Sequence, residues 1–211
     1  MIFFVVRGAS KGLHNAGFRV VGVDIKRSKN YPYKHIESDA LEVDLSPFKF
    51  VWASPPCQFA SENTQKRYRA NHQNLIPAVR EKLILSGLPY IIENVENARH
   101  HLIKPIMLCG SMFGLKIFRH RYFESNFLGE MLKSQNYLPM CNHSFVPVAV
   151  GAHSNRLNAQ GERIKEPTAQ EQREAMEIDW MNRDEVSQAI PPRYAEFLGK
   201  LAIEYLTIYE N

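Results

Sequence analysis

The chain has 211 residues, 45% of them hydrophobic, enough for one well-buried core with a small appendage. A formal net charge of +4 and an isoelectric point of about 8.9 suit a polyanionic partner without demanding one. No apolar run is long enough to span a membrane, and three cysteines without regular spacing point away from a disulfide framework and toward a reducing cytosol.

Ile2–Val6 reads as a buried first strand; it lacks the basic start and small-residue cleavage site of a signal peptide. Gly8–Gly17 follows with helical spacing at Leu13 and Ala16 and a glycine stop. Phe18–Asp24 is a second strand ending in an acid, which completes a βαβ unit. An acid in that place commonly binds a ribose hydroxyl of a nucleotide-like cofactor; a capping or solvated aspartate is the other reading. Asp39, in Ser38–Leu41, is either a second polar group beside such a cofactor or an Asx-turn residue. Phe48–Trp52 is an apolar central strand broken by Pro55 and Pro56, with Cys57 just beyond on rigid backbone. A thiol at the carboxyl edge of a strand opens toward a ligand crevice and is well placed as a nucleophile.

Glu62–Asn74 interleaves Lys66, Arg67, Arg69 and His72 with Tyr68, which suits phosphate contact or a solvated loop. Leu75–Ser86 predicts a helix, with Pro77 in its first turn and Gly87 at its end. Pro89–Ile92 is another buried strand, delivering Glu93 and Asn94. The repeat of strand, helix and strand predicts an α/β fold with a doubly wound, mostly parallel sheet, which puts Cys57 and Glu93 at one edge. Ile117–Glu124 alternates as a strand does, with Arg119 and Arg121 on one side. The less regular segment from Ser125 to Gln188 holds Cys141, His143 and His153. A zinc site would need a fourth ligand and a paired spacing, so no metal is expected. Thr168 and Glu171 form a capping box for a helix through Met176, and Asn182 with Glu185 offers a second start. Pro191-Pro192 opens a final helix to about Tyr209.

Four of these stretches, in this order, resemble the DNA cytosine-5 methyltransferase family, in particular its short phage-type members. They are Pro56-Cys57-Gln58, Glu93-Asn94-Val95, Arg119-His120-Arg121, and Ile190-Pro191-Pro192-Arg193-Tyr194 with Gly199. The resemblance implies a Rossmann-like methyltransferase fold in three parts. These are a catalytic core at 1–124, a small target-recognition insertion at 125–188, and a returning helix at 189–211. It implies methyl transfer from S-adenosylmethionine (SAM) to C5 of cytosine, with Cys57 as nucleophile, Glu93 as the group at N3, and Arg121 supported by Arg119 on the O2 side. Cofactor contacts fall on Gly8, Asp24, Ile25, Asp39, Ala40 and Pro55. DNA contacts fall on Gln58 and Ser61, joined by Arg67 and Arg69. A monomer acting on DNA in the cytoplasm of a bacterium or phage-infected host, as part of restriction-modification, is the implied setting.

One stretch departs from the family. Its members open with a glycine-rich turn around the methionine part of SAM, and here Phe3-Phe4-Val5-Val6-Arg7-Gly8 keeps only the last glycine. Valines do not take the positive φ such a turn needs. The first residues can be encoded so that the shifted reading frame spells Asp-Leu-Leu-Cys-Gly-Ala-Gly. Residues to about Arg7 are therefore expected to be a frame-shifted rendering of that turn, with the working protein starting upstream. Lys200 after Gly199 is a second departure. Two other readings stay open: a silent DNA-binding relic without SAM, and methylation of tRNA or a free cytidine nucleotide.

Overall fold

A computed structural model describes residues 7–27, 29–60, 72–135, 138, 140–151 and 166–209. In chain order these form helix α1 (Arg7–Asn15) and strands β1 (Val21–Asp24), β2 (Lys34–Glu37) and β3 (Val51–Ala53). Helix α2 (Ile76–Ser86), strand β4 (Tyr90–Asn94), a 3-10 turn (Glu96–His101), strand β5 (Ile106–Leu108), a second 3-10 turn (Gly110–Phe113) and strand β6 (Arg121–Ser125) follow. The chain closes with helices α3 (Leu128–Gln135), α4 (Ala169–Met176), α5 (Arg183–Gln188) and α6 (Pro192–Tyr209). The first strand expected at Ile2–Val6, and the frame-shifted rendering expected there, lie outside the described residues.

The fold is α/β, but the mostly parallel sheet is corrected to a mixed one. β3, β4, β6 and β5 form a four-stranded sheet in that order, and β1 and β2 form a separate parallel pair among the described residues. β3 and β4 are parallel; β6 runs antiparallel to both of its neighbours. The reason is the connection. Residues 109–120 pass through a short 3-10 turn and bring the chain back in the opposite direction, so that β6 enters between β4 and β5 and pairs antiparallel with each.

Pairing register sorts side chains to the two faces. Trp52, Ile91 and Phe123 pack with Ala9 and Leu13 of α1 and Tyr194 and Leu198 of α6. Val51, Ala53 and Ile92 pack with Ile76, Val79 and Leu83 of α2. Helices thus cover both faces, and each side of the central strands is a core. A third cluster joins Met176, Ile178 and Val186 to Leu115 and Ile117. It seats α4 and α5 against the β5–β6 connection, while Phe127, Leu128 and Met131 belong to the main core.

The helices form where local chemistry says they should. α2 carries Pro77 in its first turn and stops at Gly87, whose φ of 68° is the left-handed cap that glycine takes without strain. Thr168 with Glu171, and Asn182 with Glu185, make the two reciprocal capping boxes. Contact between α1 and α6 requires glycine: a Cβ at Gly8 would stand 1.8 Å from the carbonyl oxygen of Ile190, and at Gly12 2.0 Å from that of Pro192. The final Ile-Pro-Pro segment is held against the start of α1 by that close approach.

Candidate active site

The site is built from strand ends. β3 and β4 are buried along their whole lengths, and their parallel pairing brings both carboxyl ends to one edge. The Pro55-Pro56 loop leaves β3 there, and Glu93 and Asn94 finish β4. Asn94 ties the two together: its Nδ2 donates to the Pro55 carbonyl at 3.0 Å, while its Oδ1 accepts from the Val95 amide at 2.9 Å. Ser54 adds a second tie, accepting from the Trp52 indole N–H at 3.3 Å and donating to Glu93. The sequence places Asn94 beside Glu93 at the strand end but assigns no role to it or to Ser54, whose positions beside Glu93 and Pro55 were the only signal.

Glu93 is 6% exposed. Burial raises its pKa above the ordinary carboxylate range, opposed by Arg121, the Ser54 hydroxyl and Arg119. The β4–β6 register sets Glu93 opposite Phe123, so Arg121 is its diagonal neighbour on the same face. Arg121 Nε approaches Glu93 Oε1 at 3.3 Å, and its Nη1 donates to the His120 carbonyl at 2.8 Å. Cys57 is partly buried. Burial pushes its thiol up and the Glu93 charge pushes it further, while Arg121 and then Arg119 pull it back. A thiol, a reluctant acid and a guanidinium therefore share one electrostatic neighbourhood.

Arg119 plays another part than the alternation predicts. Its φ of 39° breaks the strand expected at Ile117–Glu124, so β6 starts only at Arg121. The Tyr194 hydroxyl, 3.0 Å from the Arg119 carbonyl and 3.2 Å from that of Phe118, fixes the bend. The guanidinium donates to the carbonyls of Ala189 at 2.8 Å, Val150 at 3.0 Å and Ser187 at 2.6 Å. Burial, with Arg121 second, pushes it down to about 9, so it stays charged at neutral pH. Its guanidinium thus clamps the segment before α6.

Among the residues expected at a cofactor, Asp24 ends β1 and accepts from the Lys26 amide at 3.2 Å. Ile25 beside it is 66% exposed. Asp39 makes the Asx turn, accepting from the Leu41 amide at 2.8 Å, with half-buried Ala40 inside it. Pro55 is buried at the loop, and the open side of Gly8 faces Ile190. On the expected DNA side, Gln58 is exposed. It lies next to an open cleft of about 820 Å³ that includes Phe59, Arg99, His100 and His101 in its lining. Ser61, Arg67 and Arg69 lie outside the described residues.

No family model and no curated protein matches the chain. Among solved structures, the methyltransferase EhMeth of Entamoeba histolytica superposes with a TM-score of 0.56 at 12% identity, over 97% of this chain and 98% of its own. At that identity the likeness is one of fold: nearly the whole chain shares that protein's architecture.

Proposed function

We propose that the chain transfers a methyl group from SAM to C5 of cytosine in DNA, through a transient bond between Cys57 and C6 of the base. The supporting observation is the shared neighbourhood of Cys57, Glu93 and Arg121 at one sheet edge, in a chain with a methyltransferase-like fold. The Cys57 thiol gives its proton to solvent water, and attack by the resulting thiolate on C6 forms the S–C6 bond and moves the C5–C6 electron pair toward C5. Charge developing at N3 needs a proton, and Glu93 is an acid that burial keeps ready to give one. Arg121 orients the ring from its O2 side, and Arg119 is a positioning residue that braces the strand carrying Arg121. SAM, when bound, supplies the electrophilic methyl group that C5 takes up. Loss of the C5 proton to solvent water, with the N3 proton returned to Glu93, then restores the double bond and expels the thiolate. Such a carbon is out of reach inside a duplex, so the base must be extruded.

The residues present fit a nucleoside donor. An acid and an exposed apolar side chain stand together at the end of β1, as ribose hydroxyls and a purine ring require. The cleft by Gln58, lined by Phe59, His100 and His101 with Arg99 and Glu96, offers rings on which the bases of a nucleic-acid strand can stack.

Bisulfite sequencing of DNA from a host expressing the chain, beside a Cys57→Ser variant, tests the proposal. Protected cytosines in one short recurring sequence are expected with the native chain and absent with the variant. Full protection by the variant would remove the covalent step. Unmodified DNA alongside new 5-methylcytosine in the host's tRNA would move the substrate to RNA.

A further inference from the structure

Apart from Cys57, Glu93 and Arg121, four side chains converge: Cys109, His120, Cys141 and His143, with all donor atoms within 4.8 Å of one another. Cys109 follows β5 and is fully buried. His120 sits between Arg119 and Arg121, just before β6. Cys141 and His143 come from the stretch after α3.

The spacings come close to those of a metal centre. A tetrahedral zinc ion with bonds of about 2.3 Å to sulfur and about 2.0 Å to nitrogen holds neighbouring donors about 3.3–3.8 Å apart. Here Cys109 Sγ lies 3.4 Å from His143 Nε2, and Cys141 Sγ 3.6 Å from His120 Nε2. The two Nε2 atoms are 3.2 Å apart, and Cys141 Sγ is 2.9 Å from His143 Nε2. Both imidazoles thus turn the same nitrogen inward, toward each other and toward sulfur. Hydrogen bonding alone serves such a knot poorly, because facing ring nitrogens pair only when one carries a proton and the other does not. One cation accepting four lone pairs satisfies all of them.

The surroundings agree. The Ser111 hydroxyl lies 3.1 Å from Cys109 Sγ and 3.8 Å from Cys141 Sγ, where it can donate to thiolate, and it accepts from the Asn142 amide at 2.9 Å. The Phe118 ring stacks on His143 at 3.9 Å and sets the imidazole plane.

The geometry points to a structural zinc site of the Cys2His2 type, held by Cys109, His120, Cys141 and His143. Four protein ligands leave no open position, so the ion is a clamp and not a catalyst. It ties residues 141–143, within the expected recognition region, to the turn that delivers Arg121. His120 is one residue from Arg121, so the metal braces the arginine facing Glu93. The inference does not depend on methyl transfer: a chain that holds zinc and methylates nothing would leave it standing.

Elemental analysis of the reduced full chain, purified without chelator, tests it. About one zinc per chain is expected, falling at least about tenfold in Cys141→Ser and in His143→Ala and unchanged in Cys57→Ser. Stripped protein titrated with cobalt should show the intense visible absorption of tetrahedral cobalt, saturating near one equivalent. That measurement uses the native chain, so it holds even if the variants fold badly. Native protein with only trace zinc and no cobalt absorption would overturn the inference, as would variants that keep their full metal content.

Discussion

Two glutamates on neighbouring strands each sit beside an arginine, and they do opposite things. Glu124 on β6 is 2% exposed and saturated. Arg80 gives it Nε and Nη2 at 2.7 Å each, the Ile103 amide stands at 2.8 Å, and the Tyr90 hydroxyl at 3.4 Å. Among the described residues, Glu93 on β4 has one 3.3 Å approach from Arg121 and the Ser54 hydroxyl. Register explains the separation: Glu124 pairs with Ile92 and faces α2, whereas Glu93 pairs with Phe123 and faces the other side. A carboxylate whose lone pairs are filled by a guanidinium fork and an amide is a structural rivet. One with fewer donors is raised by burial and keeps the capacity to exchange a proton.

The sharpest way to break this contrast is to change each acid to its amide. Glu93→Gln should lower methyl-transfer turnover roughly 10²–10⁴-fold while leaving the chain folded. Glu124→Gln should cost roughly 2–3 kcal/mol of stability, because it leaves the half-buried Arg80 guanidinium without its counter-charge, while turnover of the folded fraction persists. Urea melts run beside activity assays check both, and a reversed pattern would show the assignment to be inverted.

A smaller effect separates the two arginines. Arg119→Lys gives up a fork that reaches three carbonyls and should cost about 1–3 kcal/mol in the same melts. Arg121→Lys should leave the melts nearly unmoved and reduce turnover.

The smallest effect lies in pH. Glu93 holds its proton more tightly folded than unfolded. Its favourable contribution is therefore complete below the unfolded pKa of about 4.3 and is lost as pH rises through the folded value. The stability of Glu93→Gln relative to the native chain should accordingly grow as pH rises from about 4.3 toward the folded value. A gap that narrows over that range would mean that Glu93 is ionised at little cost.

The chain's local grammar was legible without coordinates. The capping boxes at Thr168 and Asn182, and the Pro77 and Gly87 boundaries of α2, involve bonds that close within a few residues, so neighbours in sequence suffice. The apolar runs that become β3 and β4 likewise announced themselves, and with them the placement of Cys57 and Glu93 at the ends of strands. Only tertiary structure decided that β6 would enter antiparallel. It alone turned Arg119 away through a left-handed residue that defeats strand alternation. It also brought Cys109 and His120 to Cys141 and His143. Spacing records what lies within a turn or two along the backbone, whereas side-chain direction and cross-chain proximity are set by how the sheet closes on its two cores.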